Sequence, residues 1–356
     1  MKTALAALAA IAISANAGAE EHLKSLEPKY FDNNVAAGAD FYQHVNGGWM
    51  EANPLTPERS RFTRFDVISD TNELRIRDIV LNLKASNPAP GTVAYKVATV
   101  YEQYMDSVRR NAEGAKPILP LLKKIEETPA DKMDDLFIWM HRYYSSPFIG
   151  AGPMENMSNS NEYAMYVEGT GLGMGDRDYY LAGDKRNKDV REAYKKLIVN
   201  QMRNAGYSKK EATRIMNNVM KIETLIADST WTREQSRNIP AMNNPRSFSW
   251  LKENNPNIPW DRFFIETMDI QTPDEVIVTT INTLKQGDNL YGSLTDREKK
   301  DLYLWEIVAG AQGKLSDKFA DTAFEFAKVM SGVTEQRPRW KRALAATEGA
   351  LGEAIG

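Results

Sequence analysis

The side chains that most often carry out catalysis are scarce in this sequence. Its 356 residues include no cysteine and three histidines, which stand at positions 22, 44 and 141. Without cysteine the chain has no disulfide, no thiolate zinc site and no cysteine nucleophile. A zinc peptidase site of the H-E-x-x-H type needs two imidazoles one helical turn apart, because both must reach one metal ion. Neighbouring histidines here are 22 and 97 residues apart, so the sequence contains no such site.

Other catalytic patterns are equally weak. No G-x-S-x-G sequence marks a serine nucleophile, and we expect His141 to be a surface residue or a satisfied residue of the core. The run Gly171–Gly175 resembles a dinucleotide-binding loop, but Asp176 replaces the third glycine of that fingerprint, which favours an irregular loop. Carboxylate pairs such as Asp134 and Asp135 are plentiful. The two carboxylates of a glycosidase are defined by their distance across a cleft, which proximity in sequence does not show. A hydrolase built on paired carboxylates therefore has no positive motif.

One short segment is rich in arginine. Arg59, Arg61 and Arg64 lie close together and beside aromatic side chains. Three guanidinium groups could bind an acidic group or the carboxylate of a substrate. On composition alone, a solvated loop with internal ion pairs to Glu58 and Asp66 is favoured.

Composition and charge describe a globular protein. Apolar residues make up 42% of the chain and aromatic residues 10%, while 45 basic and 48 acidic residues leave a formal charge of −3. This balance gives no basic footprint for nucleic acid. The length exceeds the size at which one core keeps growing, so two lobes, or a lobe with an appendage, are expected.

The first residues have the order of a secretory signal peptide. Lys2 supplies a positive start, Ala4–Ile13 is apolar, and Ala15–Ala17 offers the small-x-small pattern of a cleavage site. We predict that residues 1–19 are removed and that the protein is exported to the periplasm or the extracellular space. No later segment reaches the roughly 18 consecutive apolar residues that span a bilayer, so no transmembrane span is expected in the mature chain.

The apolar residues follow a helical period from about residue 66 onward. Ser208 with Glu211 and Thr295 with Glu298 have the spacing of capping boxes, and Asp131 is a candidate N-cap. Residues 145–183 break this pattern with two prolines and seven glycines, and short strands are predicted near 147–150 and 163–168. The predicted fold class is mainly α, with a small β element near 145–170.

Three stretches, taken together, resemble one protein family. Asp40–Trp49 reads D-F-Y-Q-H-V-N-G-G-W and is followed by N-P-L-T-P and S-R-F. Gly171–Leu181 contains G-L-G-x-x-x-R-D-Y-Y, and Pro338–Arg342 reads P-R-W-K-R. In their order and spacing these stretches are similar to the neprilysin and endothelin-converting-enzyme family of zinc metalloendopeptidases, from about residue 40 to the end.

This resemblance implies a two-lobed exported endopeptidase, in which a mainly helical lobe restricts the access of peptides to a zinc-bearing lobe. The implied division is a signal peptide at 1–19, a lead-in at 20–56 that packs on the catalytic lobe, the helical lobe at 57–345, and the start of a crossover at 346–356. Because H-E-x-x-H is missing, we expect zinc in the full-length protein only. This chain alone would be inactive, with the catalytic lobe of the same polypeptide as its partner.

The resemblance also implies a contact with the peptide substrate. The family pattern S-R-x-x-x-F-D falls on Ser60, Arg61, Phe65 and Asp66. Arg61 would pair with polar or carboxylate groups of the substrate, and Asp66 would orient it. The family often has a second arginine three residues after the aspartate, where this sequence has Ser69.

One alternative stays open at this point. The chain could be a complete, non-catalytic exported helical protein that holds peptides through Arg61 and its aromatic residues. That protein would bind peptides without turning them over, so the sequence leaves undecided whether this chain is an enzyme.

Overall fold

The computed structural model describes residues 27–356, so the predicted signal peptide lies outside the described residues. Contacts divide the chain into one unit up to Thr56 and a second from Pro57 onward. In the first unit, helix α1 (Phe41–Ala52) follows a short 3-10 turn, Pro28–Tyr30. Asp40 caps α1, since its side chain accepts a hydrogen bond from the backbone N–H of Gln43 at 2.9 Å.

The second unit is built mainly of helices. Their apolar faces recur at helical spacing, as the sequence predicts, and the mainly α fold class is confirmed. The helices are α2 (Arg64–Ala85), α3 (Val93–Met105), α4 (Ser107–Glu113), α5 (Leu119–Glu127), α6 (Met133–Tyr143), α7 (Asp178–Leu181), α8 (Lys185–Asn204), α9 (Lys209–Ser229), α10 (Phe248–Asn254), α11 (Trp260–Met268), α12 (Ile281–Ser293), α13 (Asp296–Ala311), α14 (Asp317–Ser331) and α15 (Arg339–Ile355).

The helix starts agree with the capping signals in two of three places. Ser208 and Glu211 form the predicted capping box at the start of α9, and Thr295 and Glu298 form the one at α13. The prediction for Asp131 is wrong, because this residue lies in a 3-10 turn and α6 begins two residues later without a side-chain cap.

Within residues 27–356, four strands form one small sheet in the order β1-β2-β4-β3. The first two strands make an antiparallel hairpin, which confirms the β element predicted near 145–170. The last two strands, absent from the sequence prediction, pair antiparallel with each other, and β4 runs parallel to β2. The strands are β1 (Ile149–Asn156), β2 (Asn159–Gly169), β3 (Asn244–Ser247) and β4 (Glu275–Val278).

Two apolar clusters form the core of the second unit. The larger cluster joins one face of the sheet to most helices from α5 to α14. The smaller cluster holds α2 and α3 against α15, and its buried members are Val80, Val97, Tyr101, Ala343 and Leu344. The segment that precedes α2, which carries the predicted substrate contact, is thus supported by the last helix of the chain.

Candidate functional site

The predicted site residues lie at the start of α2. The segment that enters this helix is fixed at its beginning, where the carbonyl of Pro57 accepts from the backbone N–H groups of Thr334 and Glu335 at 2.8 and 3.2 Å. Arg61 lies on this segment and is exposed, and Asp66 lies in the first turn of α2. Asp66 is five positions after Arg61, so both stand at the same end of the helix.

Asp66 fixes the start of α2. One of its carboxylate oxygens, Oδ2, accepts from the backbone N–H and from the hydroxyl of Thr63, each at 2.7 Å. These hydrogen bonds, first from the Thr63 side chain and then from its backbone, lower the pKa of Asp66, and the charges of Arg59 and Arg61 lower it further. Asp66 is therefore an anion that caps the helix and attracts Arg61 through its charge.

Among the described residues, no carboxylate lies within ion-pair distance of the Arg61 guanidinium. The side chains that follow it on the helix are also open to solvent: Phe65 is 81% exposed and Ile68 is 50% exposed. A cation thus stands beside an apolar surface. This combination can hold an acidic group and an apolar side chain of one ligand.

A chain of ion pairs braces this segment. Arg59 contacts Asp70 at 2.5 Å, Lys341 contacts Asp70 and Glu73 at 3.7 and 3.1 Å, and Arg337 also pairs with Glu73. Through Asp70 of α2, the structure thereby links Lys341 of the P-R-W-K-R stretch to Arg59, which directly precedes S-R-F. The start of α15 thus helps to position the entrance of α2.

The third motif stretch, around Gly173, forms a buried hydrogen-bond network. A Cβ atom at Gly173 would lie 2.0 Å from the Tyr194 hydroxyl, so only glycine allows this close approach. The N–H of Met174 donates to the Tyr180 hydroxyl at 3.0 Å. Tyr180 and Tyr194 in turn donate to the two carboxylate oxygens of Glu223, at 2.7 and 3.1 Å. The motif therefore locks an irregular loop onto α8 and α9 and is not a nucleotide-binding loop.

Glu223 is the centre of this network and is 4% exposed. Burial, helped by the nearby Glu306, raises its pKa to about 8, against the hydrogen bonds from Tyr180, Tyr194 and the Gly173 N–H. Sequence reasoning missed Glu223, although a signal existed. It stands four residues after Val219 and three before Ile226, which places a carboxylate on the apolar face of α9.

The described histidines both face backbone carbonyls. His44 Nδ1 lies 2.8 Å from the carbonyl of Val35. His141 Nδ1 lies 2.8 Å from the carbonyl of Phe137, and its Nε2 lies 3.2 Å from that of Ile149. Burial lowers the pKa of His141 to about 4, against the two carbonyls, which raise it, so the ring is neutral near pH 7 and donates to one of the two carbonyls. His141 is half-buried and packs against the rings of Phe137 and Phe263.

The described residues do not fit the zinc site that the family resemblance implies. Between residues 27 and 356, no group of three or more histidine, aspartate or glutamate side chains is placed to hold a metal ion. Nor is any helix in this range long and apolar enough to cross a bilayer.

A model described as peptidase family M13 matches residues 37–356. The chain belongs to this family. Endothelin-converting enzyme 1 of Bos taurus is 26% identical over 337 residues, which cover 91% of this chain and 44% of the relative. Neprilysin of Mus musculus is 23% identical over 357 residues, 91% of this chain and 47% of the relative. The chain thus spans less than half the length of these relatives.

Solved structures share the fold. A zinc metalloprotease of Mycobacterium tuberculosis in complex with an inhibitor superposes with a TM-score of 0.84 at 22% identity, over 93% of this chain and 50% of that one. PepO of Lactobacillus rhamnosis superposes with a TM-score of 0.75 at 18% identity, over 90% of this chain and 51% of that one. The helical architecture with its small sheet is therefore that of the M13 fold.

Proposed function

We propose that this chain is the N-terminal, helical part of an exported zinc-dependent metalloendopeptidase that acts on peptides. The observation that carries the proposal is the family match over residues 37–356, together with relatives more than twice as long. In this proposal the zinc site belongs to a catalytic lobe elsewhere in the same polypeptide. The chain alone then binds no catalytic zinc and cleaves no peptide.

Within that enzyme, Arg61 binds the substrate. Its exposed guanidinium forms a charge-assisted hydrogen bond with a carboxylate of the peptide. Asp66 positions it indirectly, because Asp66 holds the helix start through Thr63 and attracts the guanidinium. The exposed ring of Phe65 supports this role by offering an apolar contact next to the cation.

The proposal is tested with the native full-length polypeptide and two substrates, one peptide with a free C-terminal carboxylate and the same peptide amidated. We expect Arg61→Ala to lower kcat/KM for the carboxylate peptide by roughly tenfold to a hundredfold, the value of one hydrogen bond to a charged group. For the amidated peptide, kcat/KM should fall much less, and Arg61→Lys should retain part of the activity that Arg61→Ala loses. The exposed Arg237 offers a matched control, since Arg237→Ala removes the same charge elsewhere.

Two results would contradict the proposal. Equal losses of kcat/KM for both peptides would show that Arg61 does not recognise the carboxylate. Stoichiometric tight zinc together with peptide cleavage by residues 20–356 alone would show that the catalytic site lies within this chain. N-terminal sequencing of the native protein from the periplasm or medium tests export, which requires a start after the predicted cleavage site near Ala19.

A further inference from the structure

An open slot of about 400 Å³ lies on one face of the β1-β2 hairpin. In the hairpin register Gly150 pairs with Glu168 and Gly152 with Tyr166. Since alternate side chains of a strand point to opposite faces, these four residues share the slot face. The slot residues are Ser146, Gly150, Ala151, Gly152, Met154, Tyr166, Glu168, Gly169, Thr170 and Gly171.

Two glycines of this slot have open space where a side chain would stand. A Cβ atom at Gly152 or at Gly171 would have no heavy-atom neighbour within 4 Å, and neither residue has a left-handed backbone. Gly169 differs, because a Cβ atom there would lie 2.3 Å from the Thr283 side chain. A glycine in a strand interior weakens the strand, and it often marks a place where a ligand or another backbone approaches closely.

The walls of the slot are fixed and partly apolar. The Tyr166 hydroxyl donates to the carbonyl of Glu155 and accepts from the N–H of Met157, both at 3.1 Å, so its ring is held in place. Met154 is 48% exposed and adds a flexible thioether. Tyr166 is only 3% exposed, so it forms a fixed floor, and a side chain entering the slot meets mainly the adaptable apolar surface of Met154.

One wall carries a negative charge that no described residue neutralises. Glu168 is exposed, and its one described hydrogen bond comes from the Thr279 hydroxyl at 3.3 Å. No lysine, arginine or histidine of residues 27–356 forms an ion pair with it. An anionic ligand would be repelled here, whereas a guanidinium or ammonium group would find an open carboxylate.

We propose that this slot binds an extended peptide segment that contains an arginine or lysine. The backbone of the peptide lies over Gly152 and Gly171, its basic group pairs with Glu168, and a neighbouring apolar side chain packs on Met154. The inference rests on the proposed function, in which peptides are the substrates. Addition of the peptide as an extra strand along the edge of β1 is disfavoured, because Pro153 has no N–H to donate and the carbonyl of Glu155 already accepts a hydrogen bond from Tyr166.

The test uses the mature full-length polypeptide, with a zinc chelator present to prevent cleavage, and two fluorescent peptides that are acetylated and amidated, so that neither has a terminal charge for Arg61. One peptide is Ala-Phe-Arg-Leu-Ala, and in the other citrulline, a neutral group of nearly the same shape, replaces arginine. Fluorescence anisotropy should show that the arginine peptide binds about fivefold tighter at low salt, as expected for an exposed ion pair. This preference should fall in about 0.5 M NaCl.

Two variants separate the parts of the slot. Glu168→Gln should abolish the preference for arginine, whereas the control Glu162→Gln, on the same strand but outside the slot, should retain it. Gly152→Val should weaken the binding of both peptides by roughly tenfold, while its Tm stays equal or rises, since valine favours strands. A loss of binding without a loss of stability would distinguish a ligand contact from a structural role.

The inference is overturned if Gly152→Val binds both peptides as the wild type does, if the preference for arginine survives in Glu168→Gln, or if the wild type binds neither peptide. Each result leaves the proposed function to its own test, cleavage of carboxylate and amidated peptides by the full-length polypeptide. Conversely, if Arg61→Ala has no effect on cleavage, the proposed role of Arg61 fails, whereas the binding of peptides to the slot is unaffected.

Discussion

Replacing Glu223 by glutamine should change how the stability of this protein depends on pH. Glutamine has the same shape as glutamate and can still hydrogen-bond to Tyr180 and Tyr194, but it does not ionise. In the wild type the carboxyl group is buried, and its pKa is raised from 4.5 to about 8. In the unfolded chain it ionises near its ordinary value.

The sign follows from proton linkage. Between about pH 4.5 and pH 8, the unfolded chain has released the proton of Glu223 while the folded protein still holds it, so raising the pH favours unfolding. The stabilisation is complete below the lower pKa and is lost as the pH rises through the higher one. At about 1.4 kcal/mol per pH unit, the full interval corresponds to at most about 5 kcal/mol of unfolding free energy.

Urea unfolding followed by tryptophan fluorescence, from about pH 5 to about pH 9, measures this slope. We expect Glu223→Gln to lose less stability over this range than the wild type and to be the more stable protein at the alkaline end. Part of the slope should remain, because burial also raises the pKa of Glu306. The double variant Glu223→Gln with Glu306→Gln should be flatter still.

An exposed glutamate provides the matched control. Glu253 lies at the surface of α10, and Glu253→Gln should leave the wild-type slope unchanged. The reasoning is refuted if Glu223→Gln shows the same pH dependence as the wild type. It is also refuted if Glu223→Gln is less stable at every pH by a constant amount, which would mean that hydrogen bonding alone decides the role of this residue.

Three further substitutions test the packing and charges of the core. Gly173→Ala should lower the unfolding free energy by about 1–3 kcal/mol, because the added methyl group collides with the Tyr194 hydroxyl. Gly183→Ala is the control: it has open space around it and should lower the unfolding free energy much less, as measured by urea unfolding. The wild type should lose about 3 kcal/mol of unfolding free energy as the pH falls from about 6.5 to about 4, because His141 has a pKa of about 4 when folded. His141→Gln should remove this loss. A wild type whose unfolding free energy does not fall over this range would disprove the prediction. Arg110→Met should cost about 2–4 kcal/mol, because the buried guanidinium satisfies three backbone carbonyls, while the exposed Arg109→Met should cost under about 1 kcal/mol by the same measurement.

The helices could be predicted because periodic apolar stripes are a local signal, but the sheet could be predicted only in part. The hairpin was visible from the glycines and prolines that interrupt the helical pattern. The four residues Glu275–Val278 gave no such signal, because so short an apolar run is compatible with either a helix or a strand. Their strand exists because it pairs with β2, a partner more than a hundred residues away.

The candidate site was predictable only through the family resemblance. Composition favoured ion pairs from the arginine segment to Glu58 and Asp66, whereas the structure pairs Arg59 with Asp70. The cap formed by Thr63 and Asp66 has the spacing of a capping box and could have been read from the sequence. The role of Arg61 as a substrate contact is still a prediction, because no described contact tests it.

The bracing of α2 by α15 bears on the order in which this protein can fold. The pair of Glu73 with Arg337 spans 264 residues, and the small cluster of Val80 and Val97 is completed only by Ala343 and Leu344. Contacts of such sequence separation form late, because a long loop must close before they are gained. The region of Arg61 therefore reaches its final geometry only after nearly all of this chain has been synthesised, and an incomplete chain would expose the apolar faces of α2 and α3 to aggregation.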